Sequence, residues 1–169
     1  MKVNPVKFPA LIAMVCAATP ALADVTVTFI EGAPTDRFVI AATDDCLTTP
    51  SRITIDLSGS DAGLVFDVTA QGAGVEVFQP FKLVSGAQYV AQASPLTDGA
   101  TRITLDMRAM PAGAQVAFTT DLDDTIGQRE ITVSGAEIAG ATMAVTKGFE
   151  TGVAAFGRDA VARLASCPR

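Results

Sequence analysis

The sequence contains no histidine and no tryptophan, and it has a single tyrosine among its 169 residues. The lack of histidine excludes Ser-His-Asp and Cys-His nucleophile systems, and it excludes zinc sites that use histidine ligands. Hydrolysis by a pair of carboxylates needs no histidine. Carbohydrate-cleaving sites usually set aromatic rings beside that pair, however, and here only Tyr89 and the phenylalanines are available. We therefore predict a non-enzymatic protein and keep a carboxylate-based hydrolase as the alternative.

No apolar run in the sequence is long enough to span a membrane as a helix, which requires about 20 residues. The run from Phe8 to Ala18 is shorter and is interrupted by Pro9. It is preceded by two lysines and followed by Ala21-Leu22-Ala23, the pattern of a cleaved signal peptide. We expect residues 1–23 to be the signal peptide and residues 24–169 to form one exported domain, periplasmic or extracellular, without a membrane span.

Basic residues are also few: 12 Lys and Arg stand against 18 Asp and Glu, for a net charge of −6. An acidic surface repels phosphate, which argues against nucleic acid as a partner and leaves a protein or a polysaccharide outside the cytoplasm. Two cysteines, Cys46 and Cys167, follow the signal peptide. In an oxidising compartment such a pair predicts a disulfide, and two buried free thiols are the alternative.

The sequence contains many short segments rich in Val, Ile, Thr and Phe, which are separated by Gly, Pro, Asp and Ser. Strict alternation of apolar and polar residues in VTVTF (25–29), RITIDL (52–57) and RITLDM (102–107) predicts strands with one buried face. Further strands are predicted near 36–41, 63–69, 74–78, 81–92, 114–120, 129–134 and 141–147, and a hairpin is predicted over 152–166. The pattern predicts an all-β, single-domain antiparallel β-sandwich, Ig-like or jelly-roll-like.

Two segments resemble each other at a constant offset of 50 residues, RITIDLSGSDAG from Arg52 and RITLDMRAMPAG from Arg102. One interpretation is two related strand–turn–strand units on facing sheets of the sandwich. The other is that amphipathic strands reuse a small set of residue types.

The decapeptide FTTDLDDTIG (118–127) concentrates acidic residues and fits the D-x-D-x-T pattern of haloacid-dehalogenase-type phosphatases. That chemistry needs a parallel sheet covered by helices, which the remaining sequence does not predict. Calcium is the better candidate cofactor, because it takes oxygen ligands from carboxylates and carbonyls. The candidate ligands are Glu31, Asp36, Asp121, Asp123 and Asp124, with Asp67 and Glu76 as weaker ones. The alternative is that these acids are solvated turn residues, some of them paired with Arg37 or Arg129.

Three stretches together, VTVTFIEGAPTDRFVI (25–40), ITIDLSGSDAGLVFDVTAQGAGVEVFQPF (53–81) and DLDDTIGQREITVSGAEIAGATM (121–143), resemble small exported bacterial proteins labelled "aggregation factor core". The resemblance implies adhesion, aggregation or surface binding by a β-sandwich, with calcium as the candidate cofactor. The resemblance implies no set of catalytic residues. A metal-free structural subunit of a surface assembly is the alternative function.

Overall fold

A computed structural model describes residues 23–69, 78–126 and 132–169 of the chain. Its strands form two five-stranded antiparallel sheets and one small two-stranded sheet. The strand order is β12-β1-β2-β8-β5 in the first sheet and β11-β10-β3-β7-β6 in the second, while β4 pairs with β9. The predicted all-β antiparallel sandwich is therefore confirmed.

The first sheet consists of β1 (Val25–Ile30), β2 (Asp36–Ala42), β5 (Lys82–Ser85), β8 (Gln115–Thr120) and β12 (Val161–Leu164). The second sheet consists of β3 (Ser51–Asp56), β6 (Val90–Ala93), β7 (Arg102–Met107), β10 (Thr142–Lys147) and β11 (Glu150–Ala155). The small sheet joins β4 (Val65–Phe66) and β9 (Leu122–Asp123). Short 3-10 turns occur at Asp45–Leu47 and Ala87–Tyr89.

Alternate residues of the long strands point into one core between the two sheets. In β3, for example, Ile53 and Ile55 are buried while Arg52 and the side chains between them face outward. An aromatic cluster around Phe38 fills one part of this core, with ring centroids 5.2 Å from Phe29 and 5.0 Å from Phe118. Burial of side chains of this size supplies the main driving force for the two sheets to pack.

A disulfide joins Cys46 and Cys167, as the sequence predicted, with Cα atoms 5.5 Å apart and a separation of 121 residues along the chain. Cys46 lies in the turn that follows β2, and the backbone N–H of Cys167 donates to the carboxylate of Asp24 at 2.8 Å. The bridge therefore fixes the C-terminal segment to one end of the sandwich. In the chain-entropy model, closing a loop of this length contributes about 2–5 kcal/mol.

Several predicted elements differ from the structure. The strand predicted over 63–69 is limited to β4, and that over 81–92 is divided into β5 and β6 by the turn at Ala87–Tyr89. Residues 74–77 and 129–131 lie outside the described part of the chain, and residues 132–134 form no strand. Glycine explains part of the division at 81–92, because Gly86 has a φ of 69° and ends the extended conformation.

The repeated segments are placed differently from the prediction of facing sheets. They form β3 and β7, which are adjacent antiparallel strands of the same sheet. The predicted hairpin over 152–166 does reverse direction near Gly157, but β11 and β12 belong to different sheets and only Phe156 and Ala162 bridge them. The turn there carries the chain across the corner of the sandwich.

Of the predicted signal peptide, residues 1–22 lie outside the described residues. Across the three described ranges, the search for a helix that is both long and apolar enough to cross a membrane finds none.

Candidate cation site at the acidic end of the sandwich

The two-stranded sheet brings the acidic decapeptide next to a second acidic segment. Asp121 directly follows β8, and Asp123 lies in β9, where it is paired with Val65 of β4. The antiparallel register continues one residue further, because the backbone N–H of Asp67 donates to the carbonyl of Asp121 at 3.0 Å. Asp67 therefore stands beside the DLD sequence, although it is more than 50 positions away along the chain. We call the region formed by Asp36, Asp67, Asp121 and Asp123 the acidic end.

Asp36 connects a different loop to the same region. It is the first residue of β2 and is buried. Its Oδ1 accepts a hydrogen bond from the backbone N–H of Gly32 at 3.1 Å, and its Oδ2 accepts one from the backbone N–H of Leu122 at 3.2 Å. One carboxylate thus holds the β1–β2 loop and β9 together, at the end of the sandwich opposite the disulfide.

Three carboxylates of the acidic end, those of Asp36, Asp67 and Asp121, are crowded and shielded from water, and both conditions disfavour their charged form. Burial, opposed by the Gly32 hydrogen bond and reinforced by the charge of Asp121, raises the pKa of Asp36 to about 7. Burial together with the charges of Asp123 and Asp67 raises the pKa of Asp121 to about 7. The ordinary value for an aspartate is about 3.9. The acidic end therefore favours bound protons or a bound cation.

Asp67 combines deep burial with incomplete hydrogen bonding. Its relative exposure is 1%, and its Oδ2 atom is buried without a hydrogen-bond partner. Burial, followed by the charges of Asp123 and Asp98 and by a side-chain hydrogen bond with Asp123, raises the pKa of Asp67 to about 6. A buried carboxylate oxygen without a donor is costly, so buried charges are normally paired or coordinate a metal.

Basic side chains do not neutralise these acids within the described part of the chain. The three ion pairs found there join Arg52 to Asp106, Arg102 to Asp56 and Arg163 to Asp159, and none includes Asp36, Asp67 or Asp121. Arg37, one of the two basic partners predicted for the acids, is exposed and forms none of these pairs, and the other, Arg129, lies outside the described residues. The place of Arg37 in β2 directs its side chain to the outer face of the sheet, away from the buried Asp36 next to it.

The structure separates the predicted ligands into groups. Asp36, Asp121 and Asp123 are buried and interact electrostatically with one another or with Asp67. Glu31 is exposed and accepts a hydrogen bond from the backbone N–H of Gly135 at 2.7 Å, yet its charge still acts on Asp36. Asp124 is buried, but its charge is not among those that raise the pKa of the other acids. Glu76 lies outside the described residues.

Asp98 belongs to the same neighbourhood and was not predicted from the sequence. Its Oδ1 accepts hydrogen bonds from the backbone N–H groups of Val68 and Thr69, both at 2.7 Å. Its charge also acts on Asp67. The sequence signal was the dipeptide Asp98-Gly99, a common turn pair, but nothing in that pair indicates which strand end the turn will meet.

Chemically, the acidic end offers oxygen atoms of the kind that calcium prefers. Within residues 23–69, 78–126 and 132–169, no three acidic or cysteine side chains already converge as a complete metal-binding group. Calcium takes about six to eight oxygens, which include backbone carbonyls and water, so a site needs few carboxylates. Asp67, Asp121 and Asp123 repel one another electrostatically, and a divalent cation would relieve that repulsion.

Comparisons with known proteins return no match to a family model, to a curated protein or to a solved structure.

Proposed function

We propose that this chain is an exported, non-enzymatic β-sandwich that binds a protein or polysaccharide outside the cytoplasm, with calcium bound at the acidic end. The observation that carries the calcium part is the buried Oδ2 of Asp67, which lacks a hydrogen-bond partner within the described residues, while the charges that act on Asp67 are the negative ones of Asp123 and Asp98. A divalent cation supplies what this atom lacks. It also offsets the repulsion among Asp67, Asp121 and Asp123.

Export is supported by the disulfide between Cys46 and Cys167, because such bridges persist in oxidising compartments and are rare in the cytosol. The predicted signal peptide over residues 1–23 agrees with this location. Adhesion or aggregation is supported by the sequence resemblance described above and by a sandwich that carries buried carboxylates at one end. In such a module, calcium fixes the loops that contact the partner.

Calcium binding is tested by calorimetric titration of the chelator-treated chain with calcium chloride. We expect heat of binding and a rise in melting temperature. At a calcium concentration of about 100 times Kd the stabilisation is about 2.7 kcal/mol, or on the order of 5–10 °C for a domain of this size. The variant Asp67→Asn keeps the shape of the side chain and should lose the response.

The matched control is Asp61→Asn, which removes the same charge from an exposed aspartate in the loop between β3 and β4. This variant should keep both the heat and the rise in melting temperature. If calcium produces neither signal with the unaltered chain, or if Asp67→Asn and Asp61→Asn respond alike, the proposed calcium site is wrong.

A carboxylate-based hydrolase is the second candidate, favoured by one observation. Asp36 and Asp121 both have a pKa raised to about 7, a property that general acids in enzymes share. Structural acid clusters show the same property. Assays against panels of glycosides and phosphoesters distinguish the two, because turnover that Asp121→Asn abolishes would establish the hydrolase and displace the binding function.

A further inference from the structure

The two repeated segments of the sequence pair with each other residue by residue. In the register of β3 and β7, Arg52 lies opposite Asp106, Thr54 lies opposite Thr104, and Asp56 lies opposite Arg102. The backbone pair is antiparallel, so the repeat places the same residue types at positions related by a local two-fold axis normal to the sheet. That axis passes between Thr54 and Thr104, whose hydroxyl oxygens are 3.2 Å apart.

This pairing creates a rectangle of alternating charge on the outer face of the second sheet. Arg52 donates from Nε to Asp106 Oδ1 at 2.7 Å across one short edge, and Arg102 donates from Nε to Asp56 Oδ2 at 3.2 Å across the other. Neighbouring strands are about 4.8 Å apart, and four residues of strand span about 13 Å. Each positive corner therefore has a negative corner both across the strands and along its own strand.

A row of uncharged residues crosses the middle of this rectangle. The register aligns one residue from each of four strands, which are Val153 of β11, Ala144 of β10, Thr54 of β3 and Thr104 of β7. This row runs across the sheet midway between the two charged edges. Val153 is 60% exposed, which makes it one of the more exposed large apolar side chains. The row therefore runs from a polar end at Thr104 to an apolar end at Val153.

We propose that this outer face is the interface of a symmetric homodimer, with its two-fold axis lying along the row from Val153 to Thr104. The two-fold rotation about that axis places each strand of the second copy over the same strand of the first. The edge formed by Arg52 and Asp106 then lies over the edge formed by Asp56 and Arg102 of the second copy. Arg52 then faces Asp56 of the second copy, and Asp106 faces Arg102 of the second copy. Each row residue meets itself, so Val153 is covered by Val153 of the second copy.

Charge complementarity favours a second copy of this chain as the partner. Unlike charges face each other at all four corners when this outer face meets a face with the same alternating charges. An axis parallel to the strands also opposes unlike charges. It superposes the edge strand β6 on β10, however, and leaves β11 uncovered. The axis across the strands covers all five strands and the exposed Val153, so it buries more of the face.

The size of the face sets the expected affinity. Five strands at about 4.8 Å and six residues at about 3.3 Å give an area on the order of 500 Å² on each copy. A stable complex usually buries about 800 Å² on each partner, so we expect a weak dimer with a Kd on the order of 10 μM to 1 mM. Three of the four corners, Arg52, Asp106 and Arg102, are exposed, so salt should weaken the dimer.

The test measures self-association of the chain by sedimentation velocity across a concentration series in about 50 mM salt, repeated in about 500 mM salt. The half-swap Arg52→Asp with Asp106→Arg keeps the ion pair within each copy but opposes like charges across the proposed axis. We expect it to raise the dimer Kd at least about tenfold. The full swap adds Asp56→Arg with Arg102→Asp, which re-creates the alternating rectangle and should restore the Kd to within about threefold.

A second variant does not depend on the ion pairs. Val153→Asp sets two like charges against each other on the axis and should also prevent association, whereas Val84→Asp alters an exposed valine of β5 in the other sheet and should not. Circular dichroism checks that each variant is folded. The proposal is overturned if the unaltered chain remains monomeric at the highest concentration in low salt, or if the half-swap associates as strongly as the unaltered chain. Neither result bears on calcium binding, which has its own titration.

Discussion

Carboxylates occur in two different surroundings in this molecule, and the two differ in whether an arginine pairs with them. On the outer face of the second sheet, Asp56 and Asp106 accept hydrogen bonds from arginines of the neighbouring strand. At the acidic end, the hydrogen bonds that Asp36 accepts from described residues come from backbone N–H groups, and Asp67 Oδ2 has no donor among those residues. The pKa values differ in the same way. Burial would raise the pKa of Asp56, but hydrogen bonds from Arg102 and Ser58 lower it below its usual range.

The difference teaches that the face neutralises itself, while the acidic end crowds buried carboxylates that form no ion pair within the described part of the chain. An exposed ion pair adds little stability, typically below about 1 kcal/mol. A buried acid that holds loops together adds more stability when its carboxylate accepts hydrogen bonds from them. It costs more stability when its negative charge is not compensated. The same chemical change should therefore have different consequences in the two regions.

The largest difference is expected from truncation to alanine. Asp36→Ala leaves the N–H groups of Gly32 and Leu122 without their acceptor and should lower the free energy of unfolding by about 2–4 kcal/mol. Asp106→Ala removes an exposed acceptor from Arg52 and should cost less than about 1 kcal/mol. Urea denaturation of both variants at neutral pH measures these values. Equal losses would show that the carboxylate of Asp36 does not hold the loops.

A smaller difference is expected in the dependence of stability on pH. In the metal-free protein, Asp36 and Asp121 have a folded-state pKa of about 7, against about 3.9 for an unfolded aspartate. Between about pH 4 and pH 7 the folded state therefore binds more protons than the unfolded state. By linkage, the free energy of unfolding falls as the pH rises through that window. Asp56 acts in the opposite sense, since its pKa is lowered, and its contribution is lost only as the pH falls below about 4.

Thermal melts in chelator from about pH 4.5 to about pH 7.5 measure this slope. In saturating calcium the slope should reverse, because protons then compete with the cation for the same oxygens. A melting temperature that rises with pH in chelator would contradict the expected charging of the acidic end. Asp61→Asn is again the control and should leave the slope unchanged.

Much of the fold could be predicted because alternation is a local property. The residues of β1, β3 and β7 alternate in the sequence as they do in the structure. The pair Cys46 and Cys167 was predictable because only two cysteines follow the predicted signal peptide. The adjacency of β3 and β7 was not, because either strand satisfies its own alternation on either sheet. Which strands become neighbours depends on long-range packing.

The acidic end was predicted in part for the same reason. Asp121 and Asp123 share a decapeptide, so their proximity required no knowledge of the fold. The positions of Asp67 and Asp98 depend on β4 and β9, a pair of strands with two residues each. Strands of two residues are too short to produce a periodic pattern in the sequence. The unsatisfied oxygen of Asp67, which carries the calcium proposal, becomes visible only when Asp67 is placed beside Asp121.

The smallest difference is expected from the isosteric change of aspartate to asparagine, and here the sign should differ between the two regions. In the metal-free protein at about pH 7.5, Asp67→Asn removes a buried charge that Asp123 and Asp98 repel. It should raise the free energy of unfolding by about 1 kcal/mol. Asp56→Asn weakens the pair with Arg102 and should lower the free energy of unfolding by less than about 1 kcal/mol. Denaturation in chelator measures both, and adding calcium should remove the advantage of Asp67→Asn because only the unaltered chain then gains the cation. If both substitutions destabilise the metal-free protein, Asp67 is satisfied by a donor in the folded chain, and the acidic end does not require a cation to compensate it.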